Sequence, residues 1–248
     1  MNESRAKNLR NMYDKDYVER FEKDQSPLRL DRLVHYIRLP EGSDVVDFGC
    51  GNGILLSCIH ERVKTYSGVD FSEPFILAAR NRQKKAGITN AEFFCESIES
   101  FCFRHPGKFD AGFVMDLAEH VYDEEWSEIL TAIHSSLKPG GRLYLHTPDA
   151  DFFLEHMKKR NFVFHQFREH VAVRDPDEHV RLLKNAGFFI LEVKLLPHYN
   201  ILRYLHFLSG MPVIGKYFKA RIFIIAEKKE WISAEKKYAA GYPDCLPV

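Results

Sequence analysis

Residues 44–53 read Asp-Val-Val-Asp-Phe-Gly-Cys-Gly-Asn-Gly. Val45, Val46 and Phe48 are strand formers, and they run directly into glycines at 49, 51 and 53. An amphipathic stretch from Ile54 to His60 follows without a linker. The pattern predicts a strand, a tight turn and a helix, the repeating unit of an α/β sheet. Glycine permits positive φ and lets a ligand approach the backbone. Asp70 follows further on, at the end of a second strand-like run, Tyr66-Ser67-Gly68-Val69. An acid at the tip of the neighbouring strand can accept hydrogen bonds from a ribose diol. Together these features predict a nucleoside-binding crevice lined by Gly49, Cys50, Gly51, Asn52, Gly53, Asp70 and Phe71, with Asp47 orienting the turn from the strand end.

The spacing narrows the ligand. A dinucleotide fingerprint needs Gly-x-Gly-x-x-Gly, with phosphate on the helix N-terminus. Gly49 and Gly51 fit, but position 54 is Ile and the third glycine falls one residue early, at 53. No lysine follows, which excludes a Walker-type phosphate loop. What remains is a glycine turn beside a cofactor that carries ribose and no phosphate.

The glycine turn and strand-end acid resemble those of the class I S-adenosylmethionine-dependent methyltransferases. Four further stretches match at the right spacing. Ser97-Ile98-Glu99 follows the strand-like Ala91 to Cys95, and the resemblance implies that Ser97 and Ile98 frame the adenine. Phe109 to Met115 has a buried-strand pattern opening onto Asp116-Leu117-Ala118-Glu119-His120-Val121, where the resemblance implies that Asp116 and Leu117 border the cofactor. Leu137-Lys138-Pro139-Gly140-Gly141 reads as a helix stop and a turn before another strand, and Asn185-Ala186-Gly187-Phe188 as a helix ending on glycine.

Within that superfamily the chain is most similar to the O-methyltransferases of ubiquinone biosynthesis, over roughly residues 26–225. Ser26-Pro27-Leu28-Arg29-Leu30 resembles a segment whose arginine contacts the cofactor, which implies that role for Arg29. Asp116 to Val121 and His198-Tyr199-Asn200 are also similar to family segments. The chain departs from the family at Arg168-Glu169-His170-Val171, where the family has a Thr-His-Asp turn, and over residues 203–218. Both departures fall where substrate choice is made.

Residues 43–147 alternate strand and helix patterns, which argues for a parallel sheet. The expected fold is α/β: a doubly wound, mostly parallel seven-stranded sheet of the Rossmann-like methyltransferase type, with a helical N-terminal flank and a lid insertion. The expected organisation is a flank or lid at 1–38, a methyltransferase domain at 39–228 with substrate-side insertions at 148–175 and 198–218, and a tail at 229–248. Ser72 is placed to cap the helix after Asp70, with Pro74 in its first turn.

Methyl transfer is an in-line displacement for which the cofactor brings the reactivity and the protein supplies orientation. A hydroxyl acceptor must also lose a proton, and histidine suits that task near neutral pH. His120, just beyond the fourth strand, is the first candidate base. His146, at the end of the fifth strand, and His170, in the lid, are the others, and His198 is a candidate for the substrate wall. Asp116, Glu119 and His120 fall at i, i+3 and i+4, so one helical turn could gather them, and two carboxylates would suit a hard cation. Most members of the superfamily need no metal, so a hydrogen-bond cluster that holds the cofactor loop is the expectation, and no metal is assigned.

Lysine plus arginine and aspartate plus glutamate are equal at 35 each, so no broad electrostatic attraction to nucleic acid is expected. The five cysteines show no metal spacing, and reduced thiols in a cytoplasmic compartment are the simplest reading. The polar start, Met1 to Asp24, does not resemble a secretory signal, and no run has the length of a membrane span. Residues 199–218 are apolar nearly all round, which predicts a buried or dimer-forming helix, or a lipid-facing one. The expected reaction is methyl transfer from S-adenosylmethionine to a small molecule, at a hydroxyl of a quinol, lipid-like or sugar-type acceptor. An RNA or protein methyltransferase would need a basic face or an added domain, and a catalytically silent S-adenosylmethionine-binding protein would lose the substrate wall.

Overall fold

The computed structural model describes residue 18, residue 30 and residues 33–155, 171–198 and 201–229. Most of the N-terminal flank, the middle of the first insertion with His170, and nearly all of the tail lie outside the described residues, as does Arg29.

The strands are β1 (Asp44–Phe48), β2 (Thr65–Asp70), β3 (Ala91–Cys95), β4 (Phe109–Met115), β5 (Leu137–Pro148), β6 (Phe188–Leu196) and β7 (Arg221–Lys228). The helices are α1 (Ile54–Ile59), α2 (Glu73–Ala86), α3 (Ile98–Arg104), α4 (Asp123–Ser136) and α5 (Pro176–Asn185). The sheet order is β3-β2-β1-β4-β5-β7-β6. β1 pairs in parallel with β2 and β4, β2 with β3, and β4 with β5; β7 is antiparallel to both β5 and β6. This is the expected doubly wound, mostly parallel seven-stranded sheet. Chain order reverses between β1 and β4, so the crevice over their carboxyl ends is the topological switch point.

Each central strand is covered on both sides, which explains their unbroken apolar runs. On one face Val46, Phe48, Phe109 and Val114 pack with Trp126, Ile129, Leu130 and Ile133 of α4 and with Leu182 and Leu183 of α5. On the other, Val45, Tyr66, Phe113 and Tyr144 pack with Leu55, Leu56 and Ile59 of α1, Ile76 and Ala79 of α2, and with Leu30, Leu33 and Ile37 from the N-terminal flank. Tyr144 is anchored to that flank through its hydroxyl, which donates to the Arg38 carbonyl at 2.5 Å.

Local chemistry sets the helix ends. Asp175 and Glu178 form a reciprocal capping box on α5, with Pro176 in the first turn. Asp123, Glu124 and Glu125 fill the first turn of α4, where the helix dipole favours negative charge. The Pro-Gly-Gly run expected as a turn before the fifth strand instead lies inside β5, at a register irregularity against β4 between Phe109 and Ala111. Gly140 takes φ 77° there.

Gly68 in β2 is needed for space rather than for φ. A Cβ on it would stand 2.5 Å from the Phe93 ring and 3.1 Å from Cys50 Sγ. Gly68→Ala should therefore cost about 1–3 kcal/mol through overpacking. Urea unfolding measures this, and a variant as stable as the wild type would mean that β2 and β3 pack less tightly than described.

Candidate active site

The glycine loop folds back onto β2. The Gly49 and Cys50 N–H groups both donate to the Val69 carbonyl, at 2.8 and 3.0 Å. Gly51 takes φ 51°, and its N–H donates to Asp70 Oδ2 at 3.0 Å. The other carboxylate oxygen, Oδ1, accepts from the Ser72 N–H at 2.8 Å. Ser72 holds the N-cap position of α2 as expected, but its side chain makes no capping hydrogen bond. Asp70 takes the N–H of Ser72 itself, and Pro74, two residues into the helix, has no N–H to offer a cap. An ionised carboxylate offers about four lone-pair sites, so the backbone bonds orient Asp70 and leave acceptor capacity toward the crevice.

Asp47 lies behind the loop, buried, and accepts from the Tyr66 hydroxyl at 2.5 Å. Burial pushes its carboxyl up to about 7, against the Tyr66 hydrogen bond and helped by the nearby Asp70. Asp70 is itself raised to about 6, again mainly by burial, with its two backbone donors opposing. The Cys50 thiol is buried and pushed up by burial and by Asp70 and Asp47. Asn52 is buried, its carbonyl accepts from Arg82 Nε at 2.9 Å, and both atoms of its side-chain amide lack a hydrogen-bond partner among the described residues. Buried amides are normally satisfied, so this amide marks a place for a polar ligand or water beside the glycine turn. Phe71 stands partly exposed beyond Asp70. Ser97 caps α3, its hydroxyl accepting from the Ser100 N–H at 3.2 Å, and Ile98 is buried in the first turn. Leu117 lies over the loop, since a Cβ on Gly49 would meet its δ carbons at 3.0 Å.

A second cluster gathers where β4, β5 and β7 meet. Asp116 has φ 56°, unusual for a residue with a side chain, and its N–H donates to the His146 carbonyl at 2.8 Å. Its Oδ1 accepts from Arg221 Nη1 at 2.9 Å and lies 3.1 Å from His146 Nδ1. Asp116 therefore shares no helical turn with Glu119 and His120. The turn is a short 3₁₀ helix, Ala118–His120, that begins after it. Glu119 is buried and accepts from the Thr147 hydroxyl at 3.0 Å. Burial and the Asp116 charge raise its carboxyl, with His120 and Arg221 opposing. His120 closes the turn, half-buried. Among the described residues no three His, Cys, Asp or Glu side chains form a group that could hold a metal ion.

The loop carrying His120 is held from outside. Val171 and Ala172 N–H groups donate to the Glu119 carbonyl at 2.9 and 3.1 Å. Buried Arg174 donates to the Ala118 carbonyl at 2.6 Å, the Val121 carbonyl at 2.7 Å and Asp123 Oδ1 at 2.8 Å. His198 stacks on Phe152, with ring centroids 5.9 Å apart, and Phe153 lies 5.9 Å from Phe218. These contacts join the two insertions into one aromatic wall.

The expected buried helix at 199–218 needs correcting. Tyr199 and Asn200 lie outside the described residues, and the rest forms 3₁₀ stretches at Ile201–Gly210 and Gly215–Phe218. Phe207 is 76% exposed and Val213 90%, so this face is not core within the chain. No helix of the described residues is long and apolar enough to cross a membrane. Arg174, Arg221 and Thr147 were not singled out from sequence. Arg221 had a signal, a lone charge opening the all-apolar Ile222 to Ala226; Arg174, in a polar stretch, had none.

A family model described as a methyltransferase domain matches residues 21–193, well over half of the chain. The chain belongs to the methyltransferase domain family. It is an S-adenosylmethionine-dependent methyltransferase, and the crevice fits that cofactor: a strand-end carboxylate for ribose, an unsatisfied buried amide, and no phosphate-binding lysine. It is 28% identical over 181 residues to a ubiquinone biosynthesis O-methyltransferase of Chromobacterium violaceum, covering 71% of this chain and 76% of that one. It is 30% identical over 122 residues to the enzyme of the same name from Azotobacter vinelandii, where the match covers 49% of this chain and only about half, 51%, of the relative. Among solved structures, the 1,6-didemethyltoxoflavin-N1-methyltransferase of Burkholderia thailandensis superposes with a TM-score of 0.65 over 93% of this chain and 91% of that one, at 15% identity. At that identity the likeness concerns the fold.

Two outcomes follow from this geometry. Asp70→Ala should weaken binding of S-adenosylhomocysteine by about 1.5–3 kcal/mol for each charged hydrogen bond removed; unchanged affinity by calorimetry would sink the ribose role of Asp70. The raised carboxyl of Asp47 also sets a pH dependence. A folded-state value above the unfolded 3.8 contributes stability that is complete below about pH 4 and is lost as pH rises through about 7. Asp47→Asn removes that loss, so urea unfolding should show the variant gaining on the wild type between about pH 5 and pH 8. A difference that does not change with pH would mean that Asp47 is ionised throughout.

Proposed function

We propose that this chain methylates a hydroxyl oxygen of a small-molecule acceptor, a quinol or related phenol, with His120 as the group that takes or positions the acceptor proton. The observation that carries this is the placement of His120. It closes the 3₁₀ turn directly after Leu117, which covers the glycine loop, so the histidine stands next to the cofactor crevice. The names of the relatives support the acceptor class, as does the aromatic wall of Phe152, Phe153, His198 and Phe218, which suits a planar ring.

S-adenosylmethionine supplies an electrophilic methyl group on a sulfonium. The chain's share is orientation and proton handling. Asp70 and the Asn52 amide hold the cofactor, Leu117 covers the loop, and Ser97 with Ile98 borders the adenine. Holding acceptor and donor in line can contribute about 7–11 kcal/mol to the barrier reduction, and a positioned base roughly 10²–10⁴-fold. The half-buried imidazole of His120 closes the turn beside the covered loop, on the side where the acceptor would lie. His146 lies deeper and faces Asp116, which fits a supporting role. The insertions at 148–175 and 198–218 form the acceptor side in this reading, and the domain takes in 39–228.

His120→Ala should lower turnover with a catechol or hydroquinone acceptor by at least about tenfold while S-adenosylhomocysteine affinity stays within a few-fold. Full turnover in the variant would move the search to His146 and His170.

A further inference from the structure

Arg221 is the first residue of β7, and its place follows from that strand's direction. β7 runs antiparallel to β5, so Arg221 pairs with Pro148 at the C-terminal end of β5 and with Leu196 at the end of β6. The residue is 8% exposed. Its Nη1 donates to Asp116 Oδ1 at 2.9 Å, and the same oxygen lies 3.1 Å from His146 Nδ1. The guanidinium also acts electrostatically on buried Glu119. Asp116, Glu119 and His120 are the three groups whose spacing would suit a hard divalent ion on one helical turn. With Arg221 bonded to Asp116, that geometry is withheld. Asp116 turns back toward β5 and β7 with φ 56°, and the Glu119 carboxylate is engaged by Thr147. A guanidinium stays charged at any working pH and is weakly hydrated, so it is the side chain best suited to a buried pair.

We infer that Arg221 is the fixed cation of the acceptor end: it stands at Asp116 where a divalent ion would have to bind, neutralises that carboxylate beside the acceptor, and makes methyl transfer independent of divalent metal. An uncompensated Asp116 would repel an acceptor oxygen as it gains negative charge. Arg221 removes that repulsion through Asp116, which makes it a positioning residue. The inference rests on the reading of the His120 side as the acceptor end.

The probe is Mn²⁺, titrated into the purified full-length protein and followed by the electron paramagnetic resonance of the free ion, with S-adenosylhomocysteine affinity as the check on folding. Wild type should take up no Mn²⁺ that depends on Asp116, and its turnover should not respond to EDTA. Arg221→Met should lose at least about tenfold in turnover and should take up Mn²⁺, an uptake that adding Asp116→Asn abolishes. Arg221→Lys keeps the charge and should recover part of the turnover without taking up the ion. The inference is overturned by wild-type Mn²⁺ uptake that Asp116→Asn removes, or by turnover that collapses in EDTA and returns with Mg²⁺. It is overturned equally by an Arg221→Met protein that binds S-adenosylhomocysteine normally yet takes up no Mn²⁺ or keeps full turnover. If Arg221→Met loses S-adenosylhomocysteine binding, the wild-type measurements decide alone. The Mn²⁺ titrations use no acceptor, so a wrong acceptor assignment leaves them standing, and their failure leaves the methyltransferase assignment intact.

Discussion

The Asp70 carboxylate holds the cofactor end of this protein together. One oxygen fixes the glycine loop through Gly51 and the other fixes the start of α2 through Ser72. Two segments that border the crevice are thereby set by one side chain. The arrangement has a cost, because the group is buried and its ionised form is disfavoured. Two backbone donors offset part of that cost, and the hydroxyls of a bound ribose would offset more. A site of this kind is tightened by its own ligand. Asp47 behind the loop is the complement, a buried acid satisfied by Tyr66 and raised further than Asp70.

The second cluster, the acceptor end in the proposed function, is built by different means. No single motif makes it. Asp116 ends β4, His146 ends β5, and Arg221 begins β7, so the cluster exists only because β7 runs against its neighbours. Around it, the segment returning from the first insertion is stitched to the His120 loop by Arg174 and by two backbone bonds to Glu119. Breaking a largely buried pair such as Arg221–Asp116 leaves a charge uncompensated, at a cost of about 3–5 kcal/mol, and Arg174 is held by backbone carbonyls as well as by the exposed Asp123. Arg174 and Arg221 therefore act as fixed posts between which the His120 loop is strung.

The nearby parts of the site were legible along the chain. Gly49, Gly51, Gly53 and Asp70 announce a strand-turn-helix and a strand-end acid through local rules of backbone freedom and strand periodicity, and they fall where those rules put them. The helix expected to end on glycine at Asn185-Ala186-Gly187 also appears, as α5, because such a stop is a local signal. The expectation that Asp116, Glu119 and His120 share a helical turn did not survive. Spacing alone assumes helical dihedrals, and the left-handed Asp116 is set by contacts with His146 and Arg221 from other strands. Residues 199–218 misled for a similar reason: an apolar stretch signals burial somewhere, and periodicity does not say whether the partner is this chain.

The amino-acid sequence by itself determined the α/β class, the glycine turn at the end of β1, the acid at the tip of β2 and the absence of a Walker-type loop. Each follows from residues a few positions apart, whose conformations are coupled through the backbone. The tertiary structure decided which charges meet at the proposed acceptor end and which apolar face of the second insertion is left outside. Those outcomes depend on groups about a hundred residues apart, such as Asp116 and Arg221, brought within hydrogen-bond reach by sheet order and strand direction. Local propensity carries no information on that pairing; it is fixed when the sheet closes and buried charges must find partners.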